Sequence, residues 1–173
     1  MIKDKKNNYL NLCFRSIYLT YIECYLFGQI YENLNIPETA PCSANFRDTF
    51  FHIRKLYDSD FNEEYLAQYE STVEHANRLF KDSIIRITQV LIFSLTKMMK
   101  VVDDKNVYMD LFDDKVKLKR IQLDLRSKAL EIQRPLDDVE GANEPINIIN
   151  AVIKELKDKD LYEDLLKFNS EYH

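Results

Sequence analysis

Apolar residues recur at steps of three and four over most of this chain, the period of a helix with one apolar face. The longest such run, Asp60 to Lys100, contains no Pro or Gly. In it Leu66, Tyr69, Val73, Ala76, Phe80, Ile84, Ile87, Leu91, Leu95 and Met98 share one face. Asp58, Ser59 and Asp60 offer N-cap oxygens, and Glu63 and Glu64 place negative charge in the first turn. Lys97 and Lys100 supply the complementary charge at the far end, and Asp103 and Asp104 mark a turn. The second half, through Ile84, Ile85, Ile87, Val90, Leu91, Ile92, Phe93 and Leu95, is apolar on nearly every side and is expected to be buried on several.

The same period places a first helix over residues 8 to 34, apolar on two faces, with Gly28 suited to a close backbone approach. Pro37 and Pro41 make residues 35–42 a linker. Ser43 then caps a helix over 44–57 with Phe46, Phe50, Ile53 and Tyr57 facing inward, antiparallel to the long helix over 60–100. A short helix is expected at 106–112. Residues 115–126 alternate apolar with polar in a way a strand also allows, but Leu118, Ile121, Leu125 and Ile132 suit a helix over 115–134, and no second strand is at hand to pair with. Residues 133–145, with Pro135, Gly141 and Pro145, read as a loop. Two short helices close the chain: 144–157, with Ile146, Ile149, Val152 and Leu156 inward, and 158–168, with Leu161, Leu165 and Phe168 inward. The expectation is an all-α helical bundle with a long central helix, residues 1–173 forming one domain.

Composition narrows the function classes. A formal charge of -5 argues against a surface that is basic throughout, and no DNA is expected as a ligand. Cys13, Cys24 and Cys42 form no close pair, so neither a disulfide framework nor a thiolate zinc site is expected, and the reducing cytoplasm is the expected compartment. Arg15, Glu23 and Gln29 interrupt the hydrophobic stretch 10–34, which favours a buried helix or an oligomer interface over a membrane span. Because that helix has more apolar surface than one neighbour covers, a homodimer or a helical protein partner is expected.

One stretch carries candidate chemistry. In Phe46-Arg47-Asp48-Thr49-Phe50-Phe51-His52 an Arg is followed at once by an acidic residue and five positions later by a His. A histidine can move a proton to or from a ribose 2′-hydroxyl, and a guanidinium can stabilise charge developing on a phosphorus centre. The stretch resembles the R-x(4-6)-H signature of the HEPN superfamily, all-helical proteins that include metal-independent RNases of toxin–antitoxin, abortive-infection and CRISPR systems. That resemblance implies a protein of a bacterial defence or toxin–antitoxin system that binds or cleaves RNA. It further implies Arg47, Asp48 and His52 as catalytic residues, no cofactor or metal, and a dimer in which two such pairs converge. The Lys-, Asn- and Ile-rich composition also suits a low-GC bacterium. The competing reading is that Arg47 and His52 are boundary groups of an amphipathic helix in a non-enzymatic interaction module. On an ideal helix they lie roughly 140° apart, so they meet only by a long reach or across a two-fold axis.

Two further patterns are weaker. Glu70, Glu74, Arg78 and Asp82 form an i,i+4 ladder beside His75, which reads as a solvated ion-pair face or as part of a carboxylate metal site. Lys115, Lys117, Lys119, Arg120, Arg126 and Lys128 form a basic strip, diluted by Asp113, Asp114 and Asp124, that suits an ordinary charged surface or an RNA backbone.

Overall fold

The computed structural model describes residues 5, 7, 8, 11, 28–36, 40–58, 62–127 and 139–172. The protein is an all-α helical bundle with no strand among these residues. Its helices are α1 (Ala40–Asp58), α2 (Glu63–Met98), α3 (Lys105–Ser127), α4 (Val139–Asp158) and α5 (Tyr162–Ser170), and residues 28–33 are helical as well. No helix among the described residues is long and apolar enough to cross a membrane. Backbone packing groups the chain into two compact units. The first comprises Met1–Gly28, Thr39–Ser83 and Gln133–Asp137, and the second Gln29–Glu38, Ile84–Ile132 and Asp138–His173.

In the second unit the core forms where the periodic pattern is densest. Ile84, Ile87, Val90, Leu91, Leu95 and Met98 of α2 are buried with Leu111, Leu118, Ile121 and Leu125 of α3 and Ile146, Ile149, Val152 and Leu156 of α4. α3 packs on α4, and α4 on α5. Ile85, Ile92 and Phe93 stay half exposed, so α2 is buried over most of its girth here and not all of it. Thr88 also lies fully inside, because its hydroxyl donates to the Ile84 carbonyl at 2.8 Å and so brings no unpaired donor with it. Asn169 of α5 ties this unit together: its amide donates to the Leu34 carbonyl at 2.6 Å and its Oδ1 accepts from the Ser94 hydroxyl at 2.6 Å. Two turns are closed by non-glycine residues at positive φ, Asn35 (φ 51) and Asp160 (φ 58). Each is followed by an amide that reaches back to close its helix end, Ile36 to the Tyr31 carbonyl and Leu161 to the Leu156 carbonyl, both at 2.9 Å. Asn and Asp tolerate that backbone better than other side chains.

In the first unit the inward faces differ from the expected ones. On α1, Ile53 and Leu56 are buried while Phe50 and Tyr57 are exposed, which turns the inward face by roughly 90° from the expected one. Leu56 and half-buried His52 define that side, and the aromatic residues are left outward. On α2, Tyr65 and Thr72 are buried and Leu66 is exposed. The helix begins three residues later than expected, because Asn62 is the cap: its Oδ1 accepts from the Tyr65 amide at 2.9 Å.

Several boundaries move as well. The two expected helices at 106–112 and 115–134 are one continuous helix as far as Ser127, since no Pro or Gly breaks the run. Helix α1 starts at Ala40, inside the expected linker, with Pro41 in the first turn, where a backbone donor has no helical acceptor anyway. Residues 139–145 are helical and not loop: α4 carries Pro145 within it and forgoes one backbone bond to do so. A Cβ at Gly28 would meet nothing within 4 Å, so no close approach explains that glycine. The expectations for Cys13, Cys24 and Cys42, for most of the 8–34 helix, and for Ile132 lie outside the described residues.

Candidate functional site

The connection between α1 and α2 is short, and within the first unit the two helices meet through His52. Its Nδ1 lies 2.8 Å from Oε1 of Gln68 on α2. A carbonyl oxygen only accepts, so Nδ1 carries the hydrogen and Nε2 is left with its lone pair. That is the tautomer a general base needs. The His52 ring also stacks on His75, with centroids 4.9 Å apart and planes at 20°. The His75 Nδ1 is buried with no hydrogen-bond partner among the described residues. Burial, and then the neighbouring His52 and Arg78, hold its pKa below the ordinary histidine value. His75 is therefore a neutral ring at pH 7, one that can lie against His52 without like-charge repulsion.

Arg47 and Asp48 are brought together, and Arg47 and His52 are engaged separately. The Arg47 guanidinium bonds Asp48 through Nε at 3.2 Å and Nη2 at 3.1 Å, and its side chain is 76% exposed. Asp48 lies four residues before His52, on the same side of α1, and its charge acts on His75. The sequence signature thus becomes a chain of contacts, Arg47 to Asp48 on the rim and His52 to Gln68 and His75 further in. Gln68 and the His52–His75 stack had no signal in the sequence, because pairing between helices leaves no period along either.

The outward side of α1 carries a second property. Phe51 is 56% exposed and Tyr57 69% exposed, with Phe50 beside them. They alternate with Arg47, Arg54 and Lys55, and the Lys55 ammonium sits 4.8 Å from the centre of the Phe51 ring. Arg54 meets only Asp58, at 3.9 Å between two well-exposed side chains, a contact too weak to occupy its guanidinium. Cations interleaved with open aromatic faces form a surface on which a phosphate chain and its bases can both be held.

The other sequence candidates are placed differently. Glu74 pairs with Arg78 and Glu70 is exposed, so the ladder is a solvated ion-pair face there. No group of three or more His, Cys, Asp or Glu side chains is placed to hold a metal among the described residues. In the basic strip, Lys117 is bound to buried Asp114 at 2.7 Å, while Lys119 and Arg120 face solvent. No protein-family model, no curated protein and no solved structure matches the chain.

Proposed function

We propose that this protein is a HEPN-like helical protein that binds single-stranded RNA on the outward face of α1 and cleaves it beside His52. The observation that carries the reading is the joint exposure of Phe51 and Tyr57 among Arg47, Arg54 and Lys55, next to a histidine whose Nε2 is free to accept a proton. Aromatic rings on which bases stack and cations that follow the backbone bind single strands with little sequence preference. In the reaction the ribose 2′-oxygen attacks the adjacent phosphorus as His52 Nε2 takes its proton. The P–O5′ bond then breaks, the 5′-oxygen takes a proton from solvent, and a 2′,3′-cyclic phosphate remains. Arg47, on a long exposed side chain, offsets the negative charge that builds up on phosphorus.

Incubation of an end-labelled single-stranded RNA with the purified protein in EDTA tests the reaction. Fragments ending in cyclic phosphate are expected, with His52→Ala slowing their formation by about 100-fold or more. Intact RNA, or a variant as fast as the original, removes the cleavage step.

The open aromatic residues also favour a second reading, a non-enzymatic module that docks an apolar helix of another protein on α1. It predicts that Phe51→Ala abolishes association with that protein while Arg47→Ala and His52→Ala leave it unchanged. The RNA reading expects all three to matter for RNA.

A further inference from the structure

Helix α3 is apolar on two opposite sides, and only one is covered. Leu111, Leu118, Ile121 and Leu125 point into the core of the second unit. On the far side Met109, Phe112 and Leu123 are 47%, 43% and 65% exposed, and half-buried Val116 lies between them. Their spacing of three, four and seven residues keeps all four on one stripe about 20 Å long. Isolated exposed apolar residues are ordinary, but an aligned stripe opposite a core-facing one is a helix with a second neighbour to find.

Charge identifies that neighbour. Asp113 and Arg120 flank the stripe on one side, two turns apart, and both are exposed. Neither makes an ion pair among the described residues. A flank that is acidic at one end and basic at the other is complementary to itself when reversed. We infer that this face of α3 is the contact between two copies of the chain, paired antiparallel about a two-fold axis near Val116. The axis lies midway between the two charges, so Asp113 of each copy faces Arg120 of the other and the contact is made twice. A parallel arrangement would leave the two charges at different heights and unpaired. The stripe supplies the apolar seam of such a helix pair, and the flanking charges select its direction. This assignment is independent of the RNA reading, which concerns the other unit.

Sedimentation equilibrium of the full chain tests it, the monomer mass being 20.6 kDa. At concentrations of about 10–100 μM the expected mass is that of a dimer, a range in which helix pairing of this kind is measurable. Leu123→Glu should shift the protein to monomer. Asp113→Arg and Arg120→Asp, both at exposed positions that the fold does not need, should each weaken the dimer about tenfold or more. An equimolar mixture of the last two should regain it, because each then presents the charge the other lacks. A monomer throughout, a dimer that none of the changes weakens, or a mixture no more dimeric than its components would overturn the assignment.

Discussion

His52 is held by one hydrogen bond and one ring, and each has a separate consequence. The bond from Nδ1 to Gln68 fixes which nitrogen is basic, and the stack on His75 fixes the plane of the imidazole. The stack also makes the first unit sensitive to acid. Because His75 has a folded-state pKa below its unfolded one, the folded chain holds fewer protons than the unfolded chain between those two values. The stability that neutral His75 contributes is therefore fully present above the ordinary histidine value of about 6.5, and it is lost as pH falls through the folded value. The melting temperature should accordingly drop between about pH 7 and pH 5, and His75→Gln, which cannot take up a proton, should flatten that drop. Equal slopes for the two proteins would show that the ring at position 75 is not what acid acts on.

Among the helices, ends and faces were legible to different degrees. α4 and the second half of α2 read correctly from their period, because Ile146, Ile149, Val152 and Leu156, like Ile84, Ile87, Leu91 and Leu95, are aliphatic residues with no competing set of similar size on the same helix. α1 offers two such sets. Its aromatic residues formed the more regular series, yet Leu56 and Ile53 went inward, and an aromatic ring beside a lysine stem and ammonium tolerates an outward position. The start of α2 was misplaced because residues 58, 59, 60 and 62 are all good cap residues, and the sequence holds nothing to rank them. Asn35 and Asp160 replace the glycine that a helix end usually shows, which hid both turns. At the candidate site only the α1 half could be read, since Gln68 and His75 reach His52 through packing between helices. A cap that was legible as a turn is Asp104, whose Oδ1 accepts from the Asn106 amide at 2.7 Å and from the Val107 amide at 3.2 Å. Asp104→Ala should lower stability by about 0.5–2 kcal/mol in urea unfolding, with the far-UV spectrum of the folded state unchanged. An unchanged midpoint would mean that water or Asp103 caps α3 equally well.

At the scale of the whole chain, the two compact units carry different kinds of surface. The first presents cations and open aromatic rings around a polar cluster built on α1 and the first half of α2. The second encloses the larger aliphatic core and exposes the stripe on α3. The net charge of -5 fits this division: it leaves no general attraction for nucleic acid, so any affinity for RNA has to come from the local cations of α1. Such binding should weaken as salt rises and should depend on named residues.

The most direct measurement is the anisotropy of a fluorescent single-stranded RNA titrated with the protein at low salt. The account predicts saturable binding at micromolar protein, weakened by added salt, and weakened about tenfold or more by Arg47→Ala and by Phe51→Ala, which remove a phosphate contact and a stacking ring. No binding up to about 100 μM, or an affinity that neither substitution changes, would contradict it.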